Sequence, residues 1–178
     1  MMFFANAGIP MIALTLPPMV LLIIPVILIE FWVARKRIVC ETNRRKLVSL
    51  TVANLLSTFI GWPIAWILCT IASLLVTSGG EAYGLESPFG IFMSVVVQAP
   101  WLVPYEEDLI WMIPVAMVVL MIPFFFVSVF SERWILYFFL KNETRQNIRS
   151  LTFRANLWSY AFLIIALITA FLSSSTLG

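Results

Sequence analysis

The sequence predicts an all-α integral membrane fold, with four transmembrane helices built as two tandem helical hairpins. The hairpins form a parallel internal repeat, and both termini lie outside the cytoplasm. Three observations predict this. Hydrophobic residues make up 62% of the 178 positions and charged residues 11%, against about 45–50% and about 25% in soluble domains, and the mean hydropathy is +1.02. The basic residues fall in two clusters separated by long apolar stretches. The two halves of the chain also match one another at a fixed offset.

A spanning helix needs about 20 mainly apolar residues. Four stretches meet that demand: Ile9 to Val33, Leu47 to Val76, Leu109 to Phe130 and Leu151 to Leu172. Residues 1–178 therefore read as one integral membrane domain. A first hairpin covers 1–77, an outer acidic and apolar connector 78–108, and a second hairpin 109–178. The opening MMFFANAGIP has no lysine or arginine. A secretory signal peptide needs a basic start, so the first stretch is expected to be retained as a span. Pro17, Pro18 and Pro25 mark the first span, Pro63 the second, and Pro114 and Pro123 the third. Each removes a backbone donor and favours a kink. Ordinary packing kinks are the plainer reading, transporter hinges the sharper one. Gly61-Trp62-Pro63 is expected to break or bend the second span.

Charge gives the orientation. Arg35, Lys36, Arg37, Arg44, Arg45 and Lys46 follow the first span. Arg133, Lys141, Arg145, Arg149 and Arg154 follow the third. The connector has no basic residue and carries Glu81, Glu86, Glu106, Glu107 and Asp108. The positive-inside rule places both basic loops in the cytoplasm of a plasma (inner) membrane, with the termini and the connector outside. Within the connector, Pro88 to Val103 is apolar but short for a span. It reads as an interfacial or re-entrant segment, either lipid-contacting or a docking surface for another subunit. Trp101, Tyr105 and Trp111 suit the headgroup boundary. Glu106, Glu107 and Asp108 read as a solvated helix start.

At an offset of 102 residues, Glu30 matches Glu132 and Trp32 matches Trp134. Glu41-Thr42 matches Glu143-Thr144, Ala53-Asn54-Leu55 matches Ala155-Asn156-Leu157, and Ser57 matches Ser159. The unit is a helix running inward to Glu-x-Trp, a basic loop, and a return helix opening with Ala-Asn-Leu-x-Ser. Both units enter from the same side, so an axis relating them lies along the membrane normal.

Polar groups at membrane depth bond across helices. Glu30, Asn54, Ser57, Glu132, Asn156 and Ser159 therefore form a candidate structural clamp, with Glu30 near Asn54 and Glu132 near Asn156. An ion or proton site around the axis is the alternative. Arg35 follows Glu30 by five residues and Arg133 follows Glu132 directly, so both carboxylates are expected near the interface and salt-bridged. Arg35, Lys36, Arg37, Arg44, Arg45, Lys46, Arg145 and Arg149 are expected to contact anionic lipid headgroups, at about 1 kcal/mol each.

The chain has no histidine, which excludes histidine triads, relays and ligands. Cys40 and Cys69 are expected at different depths, so neither a disulfide nor a metal site is expected. Asn142-Glu143-Thr144 matches a glycosylation sequon, but it lies in a loop assigned to the cytoplasm. No catalytic residues and no cofactor are expected, and the basic loops need no nucleic acid to explain them.

The stretch IPVILIEFWVARKR, followed by VANLLSTFIGWPIAW, resembles the filament integrity protein family of the FraC type from cyanobacteria. Ile29-Glu30, the basic loop, Asn54-Leu55, Ser57 and Ile60-Gly61-Trp62 carry the resemblance, over roughly residues 25–66. It implies a small inner-membrane protein at the septa between cells, within junctions through which neighbouring cells exchange small molecules. The expected role is thus a non-enzymatic structural or interaction subunit of a membrane complex. Its partners would be membrane lipids and other membrane subunits or further copies of the chain. The alternative is a small oligomeric transporter or channel subunit.

Overall fold

The computed structural model describes residues 9–77, 86–102 and 109–176. Glu81, Tyr105, Glu106, Glu107 and Asp108 lie outside the described residues. In chain order, a two-residue strand β1 (Ile9–Pro10) leads into α1 (Met11–Leu21) and α2 (Ile23–Arg37). Then come α3 (Asn43–Leu56), a π-helical turn (Ser57–Gly61) and α4 (Trp62–Val76). A short α5 (Pro88–Val96) and a second strand β2 (Trp101–Leu102) follow. The long helices α6 (Leu109–Phe139) and α7 (Arg145–Thr176) complete the chain.

Three of these helical units are long and apolar enough to cross a membrane: α3 through α4, α6, and α7. The first stretch differs from the single span expected of it. It is broken at Leu22, and α1 and α2 meet at 59°, passing the same test only as a bent pair. Pro25 gives the physical reason. Its ring nitrogen cannot donate to the carbonyl of Leu21 and its ring crowds that carbonyl, so the helix is interrupted one turn earlier. The chain re-enters helix when Val26 N–H donates to Leu22 O at 3.1 Å.

The other prolines behave differently. α6 runs unbroken through Pro114 and Pro123. At Gly61-Trp62-Pro63 the helix does not break either. It widens over Ser57–Gly61 into a π turn, and Pro63 follows directly within the continuous helix Asn43–Val76, where its ring lacks the N–H that a regular α-helix would use. A π turn is one way a helix absorbs a local mismatch of this kind.

The helices α2, α3, α6 and α7 pack in a closed ring, each touching two neighbours: α2 on α3 and α7, α6 on α3 and α7. With about 1.5 Å of rise per residue, α6 and α7 outrun the roughly 30 Å hydrocarbon core. Their excess carries them into the basic end of the bundle, past the boundaries expected at Phe130 and Leu151. Two apolar layers fill the ring. One, at the basic end, includes Val33, Leu50, Leu136 and Leu151. The other, larger one includes Val26, Trp62, Phe124 and Leu163 and continues to the far end.

The apolar connector segment packs at that far end. Val95, Ala99 and Leu102 are buried against Met11 and Met112. β2 pairs antiparallel with β1, and Pro100 O accepts both Met11 N–H at 3.1 Å and Trp66 Nε1–H at 2.7 Å. A nine-residue helix and a turn therefore cover the end of the bundle. Ser87 caps α5 by accepting from Gly90 N–H at 3.0 Å.

Candidate functional site

The polar layer lies between the two apolar layers. Glu30 is 0% exposed and Glu132 2% exposed. Each sits seven residues before its helix ends, about 10 Å of rise inside it. The expectation of salt-bridged carboxylates is therefore corrected: both are buried inside the bundle, away from the cations that follow them. Helix geometry explains it. Neighbouring residues on a helix do not share a face, so Arg133 points elsewhere although it follows Glu132 directly. Arg35 is exposed. Among the described residues the ion pair is Arg45 with Glu41, at 3.2 Å in the loop region.

The carboxylates are met by neutral donors instead. Asn54 Nδ2 donates to Glu30 Oε2 at 2.6 Å, and Asn156 Nδ2 donates to Glu132 Oε2 at 2.6 Å. These are the pairs the sequence brings together within each hairpin. The serines cross over. Ser57 Oγ donates to Glu132 Oε1 at 3.1 Å, and Ser159 Oγ donates to Glu30 Oε1 at 3.0 Å. Each glutamate thus receives one bond from its own hairpin and one from the other.

The donors are tied down in turn. Asn54 Nδ2 also reaches Leu50 O at 3.0 Å, and Asn156 Nδ2 reaches Thr152 O at 3.1 Å. Both serine hydroxyls lie 3.1 Å from the carbonyl three residues back, Asn54 O and Asn156 O. Every side-chain oxygen of the two carboxylates has a donor, as a buried acceptor requires. Spacing on the sequence reveals that Asn and Ser share a face. It does not reveal that the serine faces the opposite hairpin, because that depends on how four helices close into a ring.

One step towards the far end, the two halves diverge. Ser128 Oγ and Tyr160 OH are 2.9 Å apart and share a hydrogen bond. The residues 102 positions earlier are Val26 and Thr58. Thr58 is buried within the π turn, and its hydroxyl has no partner.

The loop motif Glu-Thr does the same local job twice. Thr42 Oγ1 accepts from Arg45 N–H at 3.3 Å, and Thr144 Oγ1 accepts from Asn147 N–H at 3.2 Å. Both are N-caps that satisfy a free donor of the return helix. The glutamates then part company: Glu143 Oε1 accepts Cys40 N–H at 3.1 Å, whereas Glu41 Oε1 is buried without a partner. Both cysteines are free.

Of the basic residues expected at lipid headgroups, Arg35, Lys36, Arg37, Arg44, Arg45, Arg145 and Arg149 are exposed. Lys46 is not, at 5% exposure. It lies on the inward face of α3 with Ser49, Leu50, Ala53 and Asn54, one helical turn from the core residue Leu50, so the headgroup expectation is corrected there. Arg45 Nε donates to Phe139 O at 3.0 Å, which ties it to the end of α6. Arg154, absent from that set, is exposed on α7. Among the described residues, no group of three His, Cys, Asp or Glu side chains is placed to hold a metal ion. Comparison with protein-family models, with curated proteins and with solved structures gives no match.

Proposed function

We propose that this chain is a non-enzymatic structural subunit of a multi-subunit membrane complex, spanning an inner membrane four times with its basic end in the cytoplasm. In this reading the two hairpins are a parallel repeat, and the glutamate–asparagine–serine layer locks one hairpin to the other. The observation that carries it is the closure of that layer. Every carboxylate oxygen is already bonded, both carboxylates are buried, and the partly open cavity of about 150 Å3 between α1, α4, α6 and α7 is lined by apolar side chains and Thr15, none of them from the lock. A layer with its acceptors satisfied supports rigidity better than passage. The resemblance to the septal family narrows the complex to one that joins neighbouring cells.

The test is purification from native membranes in mild detergent, with identification of what accompanies the chain. Reproducible co-purification of other membrane proteins is expected. A homogeneous oligomer of this chain alone would count against the subunit reading. Two features favour a second reading, a small oligomeric transporter or channel: the paired intramembrane carboxylates and the π turn at Ser57, a deviation common at functional sites. Glu30→Gln and Glu132→Gln separate the two. A scaffold keeps its assembly and its role in the complex. A conduit keeps its assembly and loses flux in reconstituted vesicles.

A further inference from the structure

We propose that the groove between α2 and α7 is a built binding site for one anionic phospholipid, with its headgroup at the basic end and its acyl chains running down the groove. The inference does not depend on the subunit reading, nor on which side of the membrane the basic end faces.

The headgroup part is a hollow of about 530 Å3. Lys36, Arg37 and Arg154 bring three cationic side chains to it, with Asn147 and Ser150 between them. Lys36 Nζ stands 3.5 Å from the ring centre of Trp32, a cation–π contact that fixes its direction. Arg37 Nη1 donates to Ser150 Oγ at 3.4 Å across the two helices. The nearby acid, Glu143, has its oxygens occupied by Cys40 N–H and Asn147 Nδ2. Converging arginine and lysine donors with hydroxyl and amide neighbours are the chemistry that holds a phosphate.

The acyl part is a second groove of about 510 Å3, walled by Leu28, Ile29, Ala161, Phe162 and Ile165. Trp32 and Trp158 line both the hollow and the groove, so the two are continuous. Both tryptophans are more than half exposed, at 56% and 61%. Indole rings favour the boundary between headgroups and chains. From Lys36 to Leu28 the rise along α2 is about 12 Å, enough to take a glycerol backbone and the upper part of its chains. A soluble anion would match the hollow and leave the groove unused. An uncharged lipid would do the reverse. An anionic phospholipid matches both.

The test measures tryptophan quenching in phosphatidylcholine vesicles by phosphatidylglycerol or phosphatidylcholine brominated on the acyl chains. The contribution of the site is the part lost in a Trp32→Phe, Trp158→Phe chain. Brominated phosphatidylglycerol is expected to quench that part at a several-fold lower mole fraction than brominated phosphatidylcholine. Lys36→Gln, Arg37→Gln and Arg154→Gln should each reduce the preference, by up to about fivefold per charge. Ala161→Phe, which fills the groove without adding an indole and leaves every charge in place, should reduce quenching by the bound lipid too. Arg44→Gln and Arg149→Gln, exposed cations outside the hollow, should leave the preference intact. Equal quenching by the two lipids would overturn the proposal. So would a preference lost equally in the Arg44 and Arg149 variants, which would mean diffuse surface charge. Abolition of the preference by millimolar inorganic phosphate would mean a soluble-anion site and would overturn it as well.

Discussion

The groove between α2 and α7 has a counterpart between α6 and α3, and the two are walled by matched positions. Leu28, Ile29 and Trp32 in the first stand 102 residues before Phe130, Ser131 and Trp134 in the second. Trp158 and Phe162 stand 102 residues after Leu56 and Ile60. The wall positions correspond, although the second groove is larger, at about 830 against 510 Å3. The chemistry at the basic end does not correspond. Lys36, Arg37 and Arg154 correspond to Phe138, Phe139 and Val52. The buried layer, by contrast, has the same three residue types bonded in the same way in both halves. Inside, each glutamate and each serine is bonded to a partner in the other hairpin, so a change at one of them strands a group on the other side. Outside, each groove is exposed, and its lining can change without stranding a buried group elsewhere. What the halves share is what they need in order to fit together, and what they do not share is where one half is free to specialise.

The interior side of this comparison breaks most visibly when a donor is removed. Asn54→Leu leaves Glu30 Oε2 without its 2.6 Å partner, and Asn156→Leu does the same to Glu132. A single interhelical hydrogen bond in a membrane protein is worth about 0.6 kcal/mol on average. Stranding a buried acceptor costs about 1–3 kcal/mol, and more for a charged group. The expected loss is therefore about 3 kcal/mol for either variant, and equal for the two. Reversible unfolding in mixed micelles measures it. A loss near 0.6 kcal/mol would mean the carboxylate finds another donor, and unequal losses would mean the two halves of the layer are not equivalent. Glu30→Gln should cost less than Glu30→Leu, because its carbonyl can still accept from Asn54 and Ser159 can turn to accept from its amide.

The exterior side can be sharpened by transplantation. Phe138→Lys, Phe139→Arg and Val52→Arg give the α6/α3 groove the charges of its counterpart, with Trp134 already in place of Trp32. Phe138 and Phe139 are exposed and Val52 is half-buried, so none of the changes falls on a fully buried core position. Native mass spectrometry from phosphatidylglycerol-containing nanodiscs should show retained lipid rising from one to two per chain. The gain per charge should be about fivefold in affinity, as for juxtamembrane cations. No gain would show that Ser150 and Asn147, which have Val48 and Arg45 as counterparts, matter more than charge.

Much of this was legible in the sequence. Apolar stretches and clustered cations announce helices at membrane depth, and the offset match points to Glu30 with Asn54 and Glu132 with Asn156, because those pairs are separated by equal lengths of chain. What was hidden depended on several elements at once. The crossing of Ser57 to Glu132 follows from the closure of the ring, which no spacing within one hairpin encodes. The burial of Lys46 follows from the inward face of α3 extending beyond the apolar stretch, where composition marks a loop. The break at Leu22 follows from Pro25, but Pro114 and Pro123 are equally visible and leave α6 whole. A proline states that a donor is missing, and the neighbouring packing decides whether the helix stops.

The smallest effect concerns the loops, where the two halves agree again. Thr42 and Thr144 each accept a hydrogen bond from the third residue of the helix they begin, at 3.3 and 3.2 Å. Both are exposed at the basic end, so water can partly replace the lost bond. Thr42→Ala and Thr144→Ala should each lower stability by about 1 kcal/mol, the usual value of a threonine cap. The two losses should add in the double variant, since the caps share no partner. A larger loss at Thr144 would have a ready cause. Glu143, next to it, also holds Cys40 N–H in the other loop, so fraying the start of α7 would loosen both loops. Fraying α3 would loosen only its own, apart from the bond of Arg45 to Phe139 O. Hydrogen exchange at Cys40 N–H decides between these outcomes. Unchanged protection in Thr144→Ala means the caps act alone, and lost protection means the loops are coupled through Glu143.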